Sequence, residues 1–359
     1  MLPAFNSAET LPAAAASLQA QTLTDWHAVI VNDGSTDRTL AIATDIAKRD
    51  ERFVVYSQAN RGVAAARNAG LSRITGRYTL LLDADDTLMP NGLAQLLAAS
   101  GATSVGGCGS YGDFVITSKV GTPLLLQRGR ADVVGLREVL GSVFFAVHAV
   151  LTPTPFAQRI MFDPSLPLLE DTDWFLRLAE AGVTWRHTSD VVANYRISPD
   201  SRSADFQQML AMSNLVYGAA YRRQGLDATE PMQLLLVKAT LSYFARAILR
   251  SAVGGTLLKT EDVTADLGRI LEKFGRPPAI SGRVIGHLTA TACAMGACRR
   301  PRLDGTVGEA VHTWLAVCSR VGILNPGQES EAWRAIESRQ EVLKSWCEHV
   351  SQSLSAATP

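Results

Sequence analysis

Two carboxylates one residue apart, Asp83 and Asp85, follow the apolar run Tyr78-Thr79-Leu80-Leu81-Leu82. In an extended strand, residues i and i+2 point the same way. Both side chains ionise near neutral pH, since a free Asp titrates near ~3.9. Two crowded anions repel unless a cation sits between them. A hard divalent ion does that, and Mg²⁺ takes one or two carboxylates plus substrate phosphates. Asp83-Ala84-Asp85 therefore points to a metal-bridged diphosphate. The alternative is an acidic turn that caps the next helix.

Three further stretches carry residue types fit for chemistry. In Asn32-Asp33-Gly34-Ser35-Thr36-Asp37, Asp33 can accept from a base N–H or a ribose hydroxyl, and Gly34 lets backbone approach a ligand. An ordinary Asp/Ser-capped turn explains the same residues. Arg67 sits among small residues in the stretch Asn60 to Gly70. It is either a bidentate phosphate clamp or a structural partner for an Asp. Glu170-Asp171 offers a carboxylate for general-base work at a helix start. Acidic residues there also complement the helix dipole.

These residues need elements to hold them. Thr10–Leu23 reads as a helix and Trp26–Asn32 as a strand. A helix over Thr36–Arg49 follows, with Ser35 or Thr36 as N-cap. Phe53–Tyr56 is a short strand, Gly62–Ile74 a helix and Tyr78–Leu82 a buried strand, and Pro90 opens a further helix. Alternating strand and helix predicts an α/β domain with a largely parallel sheet, whose ligands gather at the carboxyl ends of the strands. From Phe206 onward the texture is helical, in six stretches between Gln207 and His349. The expected division is a catalytic domain over 1–204 and an all-helical domain over 205–359. The first divides again near residue 100, into about 1–100 and about 101–204.

Composition narrows the function classes. The chain has 359 residues, 47% hydrophobic and 19% charged, enough for a sizeable core. Lys+Arg and Asp+Glu both number 34, so no global field draws in nucleic acid. No stretch reaches the ~20 unbroken apolar residues of a membrane span. The first residues lack the look of a secretory signal. Five cysteines with no CxxC spacing suit reduced thiols in a cytoplasmic protein. The expected location is cytoplasmic, with peripheral contact at the inner face of a membrane as an option. That option rests on the basic amphipathic stretch Met232–Arg250, which a helix packed on the catalytic domain explains as well.

Taken in order and spacing, Pro3-Ala4-Phe5-Asn6, NDGSTD, the stretch ending Ala66-Arg67-Asn68, DADD and the later Glu170-Asp171 resemble the family 2 glycosyltransferases, over about residues 1–203. The resemblance implies a GT-A fold, a Rossmann-like mixed sheet flanked by helices. It also implies inverting transfer of a sugar from a nucleotide-diphosphate donor, most often a UDP-sugar, with Mn²⁺ or Mg²⁺. Carried onto this chain, Asp33 would bind the nucleobase and Arg67 would lie by the nucleotide. Asp83, with Ala84 beside it, would lie near ribose and metal. Asp85 would be the principal metal ligand and Asp171 the base, with Glu170 beside it. Pro3 and Asn6 would lie on the first loop under the nucleotide, within reach of Glu9. Arg196 or Arg202, on the segment Tyr195–Ser203, would fold over the phosphates.

The resemblance has two departures. Only Met1 and Leu2 precede the Pro3 segment, so the first strand is short or starts upstream. The Gln-x-x-Arg-Trp signature of processive members is absent, which points to addition of one or a few sugars to a glycan or lipid-linked acceptor. His148, His187 and Trp185 are candidates to line the donor pocket. Trp314, Trp333 and Trp346 suit a helical core or a homodimer contact. Two rivals remain. One is a haloacid-dehalogenase-like phosphatase with Asp83 as nucleophile, although Asp86 stands where its motif has Gly. The other is an inactive nucleotide-sugar-binding module.

Overall fold

The computed structural model describes residues 1–101, 107–129, 131–141, 143, 145–197, 206–225, 305–320, 324–325, 327–338 and 341. The expected helices between 231 and 297, the amphipathic stretch 232–250, Arg202 and Trp346 lie outside them.

Ala28-Val29-Ile30-Val31 is buried at every position, the pattern of a strand covered on both faces. It forms β2 (Ala28–Asp33), parallel to β1 (Leu2–Ala4) and to β3 (Phe53–Gln58) in the order β1-β2-β3. Leu2 faces Ile30, and Ala28 faces Phe53. β1 is only three residues long, yet Met1 ties it to β4 (Tyr78–Leu80). The Met1 amine donates to the Leu80 carbonyl at 3.0 Å, and the Leu82 N–H donates to the Met1 carbonyl at 3.0 Å. Helices α1 (Leu11–Gln19), α2 (Thr39–Arg49), α3 (Val63–Leu71) and α4 (Gly92–Ser100) connect these strands and follow them.

Beyond β4 the sheet is antiparallel, which the sequence pattern did not give. β5 (Thr87–Leu88), β6 (Cys108–Thr117), β7 (Pro123–Gln127), β8 (Val133–Val134), β9 (Val150–Pro153) and β10 (Thr184–Arg196) join it in the order β4-β9-β6-β10-β5. Tyr78 faces Pro153, Ser110 faces Leu151 and Leu88 faces Ala193, all antiparallel. β7 pairs β6, and β8 pairs β10. α5 (Leu136–Gly141), α6 (Thr154–Arg159), α7 (Glu170–Glu180), α8 (Phe206–Arg223) and α9 (Gly305–Arg320) complete the described elements.

Local differences have local causes. Neither Ser35 nor Thr36 caps α2. Ser35 accepts from the Asn6 N–H and the Thr36 N–H donates to Asn6, so both are committed to a neighbouring loop. The Asp37 carboxylate takes the cap's place, accepting from the Thr39 N–H at 2.9 Å. Pro90 stands two residues before α4, and its carbonyl accepts from the Thr22 N–H.

Two compact units emerge. The first comprises 1–115, 127–195 and 215–225, the second 116–126, 196–214 and 226–359. In the first unit an aromatic cluster of Phe145, Phe162, Trp174, Phe175 and Trp185 lies under α7. Burying each such ring contributes roughly 1.5–3 kcal/mol. In the second unit Trp314, Leu315 and Cys318 of α9 are buried, and the His312 ring lies tilted against Trp333, 4.5 Å between centroids. Among the described residues no helix is long and apolar enough to cross a membrane.

Candidate active site

The carboxyl ends of β1 and β2 carry two loops that clasp each other. Asn6 adopts a left-handed conformation (φ 47°) and accepts from the Thr36 N–H at 2.9 Å. Gly34 also has positive φ (70°), and a Cβ there would meet the Asn60 nitrogen at 2.5 Å, so only glycine fits. Asp33 is 3% exposed, and its carboxylate accepts from Gln58 Nε2, Arg61 N and Gly62 N at 2.8–3.0 Å. It therefore organises the loop ahead of α3. Pro3 is buried inside β1, opposite Val31, not on the loop where the resemblance puts it. Beside Asn6, Phe5 is 48% exposed. Glu9 is exposed on the same connection.

The acidic segment after β4 is a turn. The Asp86 N–H donates to the Asp83 carbonyl at 3.1 Å, which closes the four residues 83–86. Asp83 and Asp85 thus do not share one face of a strand, because the strand ends before them. Ala84 is buried, and each acid has its own environment. Asp83 accepts from Arg67 Nη2 at 2.9 and 3.1 Å. Asp86 is buried with its Oδ2 2.8 Å from His148 Nδ1. Burial alone would lower the His148 pKa, but the Asp86 carboxylate, with help from Asp83 and Asp85, raises it. Asp85 keeps a solvent-open face and has no ion pair among the described residues. Enclosure by protein, then the charges of Asp86 and Asp83, push its carboxyl up to about 7.

Across the site, α7 begins with Leu169 in the left-handed region (φ 59°). Glu170 is buried and accepts from Arg67 Nη1 at 2.9 Å. Asp171 is partly exposed and accepts from the Thr172 N–H at 2.7 Å. Burial, then the charges of Asp86, Asp83, Asp171 and Asp85, raise the Tyr195 phenol. Arg67, bonded to Asp83 and to Glu170, joins the acidic turn to the helix carrying Asp171. Arg196 closes β10 and belongs to the second unit.

Trp185 is fully buried, with Nε1 donating to Thr152 Oγ1, so it does not line a pocket. His148 lies 1% exposed beneath the acidic turn, and His187 pairs with Asp113 at 2.7 Å. Sequence reasoning passed over Phe5 and Asn68, although both stand inside motifs it quoted.

Residues 1–115 match the family model described as Glycosyl transferase family 2. That stretch carries the family's domain. The glycosyltransferase TuaG of Bacillus subtilis is 28% identical over 229 residues, 63% of this chain and 89% of that protein. A cholesterol galactosyltransferase of Borreliella burgdorferi is 31% identical over 160 residues, 44% of each chain. The chain spans 33% of the length of EpsJ of Bacillus subtilis, another match, at 37% identity. Among solved structures, S. aureus TarS 1–349 in complex with UDP-GlcNAc superposes with a TM-score of 0.52 at 16% identity, covering 89% of this chain and 90% of that one. The fold of this glycosyltransferase is GT-A. The phosphatase reading falls with the family match, and Asp83 is in any case bound to Arg67.

Proposed function

We propose that this glycosyltransferase moves one sugar, with inversion, from a nucleoside-diphosphate sugar (a UDP-sugar first among them) to a hydroxyl of a glycan or lipid-linked acceptor. The observation that carries this is the Arg67 bridge, which holds Asp83 of the acidic turn and Glu170 at the start of α7 and so brings the turn with the exposed Asp85 to the helix end with the partly open Asp171. Asp171 takes the proton of the acceptor hydroxyl as the new bond forms at the anomeric carbon. One carboxylate suffices for a single displacement, which inverts the centre. Asn6, Gly34 and the Asp33-organised loop shape the floor under the nucleotide.

Among the described residues no group of three or more His, Cys, Asp or Glu side chains stands ready to hold a metal. The donor set still suits a cation that arrives with substrate, since Mg²⁺ and Mn²⁺ bind one or two carboxylates and take phosphate oxygens for the rest. Asp85 would hold it, with Asp83 behind. When bound, the cation supplies positive charge to the departing diphosphate.

A thermal-shift screen of nucleotide sugars with and without Mn²⁺ tests the reading. A ligand at 100 times its dissociation constant stabilises by about 2.7 kcal/mol, a readable shift. One nucleoside-diphosphate sugar should raise Tm in a metal-dependent way, and incubation with acceptor glycans should then release the nucleotide. A panel in which no nucleoside diphosphate shifts Tm would remove the proposal.

Phe5 extends it. An exposed ring beside Asn6 is a platform for the nucleobase, and base–aromatic stacking is worth roughly 1–3 kcal/mol. Phe5→Ala should weaken UDP binding by about tenfold, with Phe5→Tyr near wild type. Calorimetry showing equal affinity for all three would place the base elsewhere.

A further inference from the structure

Arg67 is the largest charged side chain among the fully buried ones, 2% exposed. Burial alone would strip its proton, but the carboxylates of Asp83, Glu170 and Asp171 outweigh that and hold it charged. Its two terminal nitrogens reach residues 16 and 103 positions away. Nη2 holds Asp83 of the acidic turn, and Nη1 holds Glu170 at the start of α7. The guanidinium carbon lies 5.3 Å from the Phe162 ring. The next residue, Asn68, grips the same segment twice. Its Nδ2 donates to the Phe162 carbonyl at 2.9 Å, and its Oδ1 accepts from the Phe162 N–H at 2.8 Å. Ala64, Ala65 and Ala66 are buried on α3, so the helix that carries both residues is firmly packed.

From this geometry we infer that Arg67 and Asn68 form an internal clamp. It fixes the segment 162–170, and hence Asp171, against the carboxylate turn. Arg67 is a positioning residue and does not touch the donor, because both terminal nitrogens are held by acids of the chain and Nε is buried. The inference rests on the reading of Asp171 and Asp85 given above. It deepens that reading by naming what holds the two ends in register. Glu170 belongs to the clamp, and the left-handed Leu169 is the bend that lets Glu170 turn inward while Asp171 stays open.

Hydrogen exchange and kinetics on the full chain test this together. In Arg67→Met, amides 169–173 should exchange roughly tenfold faster while β2 and β3 keep their protection. Turnover, read as UDP release from whichever UDP-sugar the wild type uses, should fall roughly 10²-fold in kcat with donor KM little changed, as misplacement of a reacting group predicts. Arg67→Lys should restore part of both. If Arg67→Met fails to fold, Glu170→Gln is read in the same way. Unchanged exchange at 169–173 overturns the clamp. So does a variant that keeps kcat but loses UDP·Mn²⁺ affinity by more than about tenfold, since that is the signature of a direct ligand contact. The exchange measurement needs no turnover, so it separates failure of the clamp from failure of the transfer reading.

Discussion

Asp171→Asn is expected to abolish most sugar transfer while leaving fold and donor binding in place. The substitution is isosteric, and the amide oxygen can still accept from the Thr172 N–H, now found at 2.7 Å from Asp171. What disappears is the capacity to take a proton. A positioned general base is worth ~10²–10⁴ in rate, so kcat should drop by that factor. UDP·Mn²⁺ affinity should stay within roughly threefold, because in the proposed reaction the base works on the face of the sugar away from the diphosphate. Melting temperature should barely move, as substitutions away from buried networks stay within roughly ±0.5 kcal/mol. Glu170, its neighbour, cannot serve as the base. It is buried and one of its oxygens holds Arg67, so it is not open to an acceptor hydroxyl. Steady-state kinetics beside calorimetry decide the matter. A variant with wild-type kcat would move the base elsewhere.

Half of this architecture was readable from residue pattern. β2 announced itself because every position from Ala28 to Val31 is apolar, and β4 because its run ends abruptly at an acid. The antiparallel half was not readable. β6 contains Gly109, Ser110, Gly112 and Asp113 among its ten residues, so neither alternation nor an apolar run marks it, yet nine of them are buried. Its burial comes from neighbours far away in sequence, such as Leu151 and Tyr111's partner Val150. The site shows the same divide. The motifs named the right stretches, but spacing alone could not say that Asp83 to Asp86 fold into a turn. Nor could it say that Arg67 faces inward toward Glu170, 103 residues later. Of the two readings left open for that arginine, a structural partner for an acid is what the geometry shows. His148 read as a pocket candidate, but it lies beneath the turn, with Nδ1 2.8 Å from the buried Asp86.

That division of labour within the turn makes Asp85 the position where function and stability should part. Asp83 has Arg67 and Asp86 has His148, each an ion-pair partner built into the chain. Asp85 stands between them with none among the described residues, and its carboxyl is pushed up to about 7 by enclosure and by the two neighbouring acids. A carboxylate in that position is a cost to the empty protein, which a proton relieves and, in the proposed reaction, a ligand-borne dication would relieve. Asp85→Ala should therefore leave the unliganded melting temperature unchanged or slightly raised, the usual direction when a strained functional group is removed. The same variant should lose the Mn²⁺-dependent part of UDP binding. Charge neutralisation by a bound metal is worth several kcal/mol, and at about 1.36 kcal/mol per decade that is ~10²–10³ in turnover. Chelation of the wild type should reproduce the loss, and added Mn²⁺ should not rescue the variant. Asp86→Ala is the contrasting control. It strands His148 in a buried site, so it should lower Tm whether or not metal is added. If Asp85→Ala instead destabilised the empty protein and kept metal-dependent UDP binding, the acid would be a structural cap. The carboxylate that meets the diphosphate would then have to be Asp83, released from Arg67.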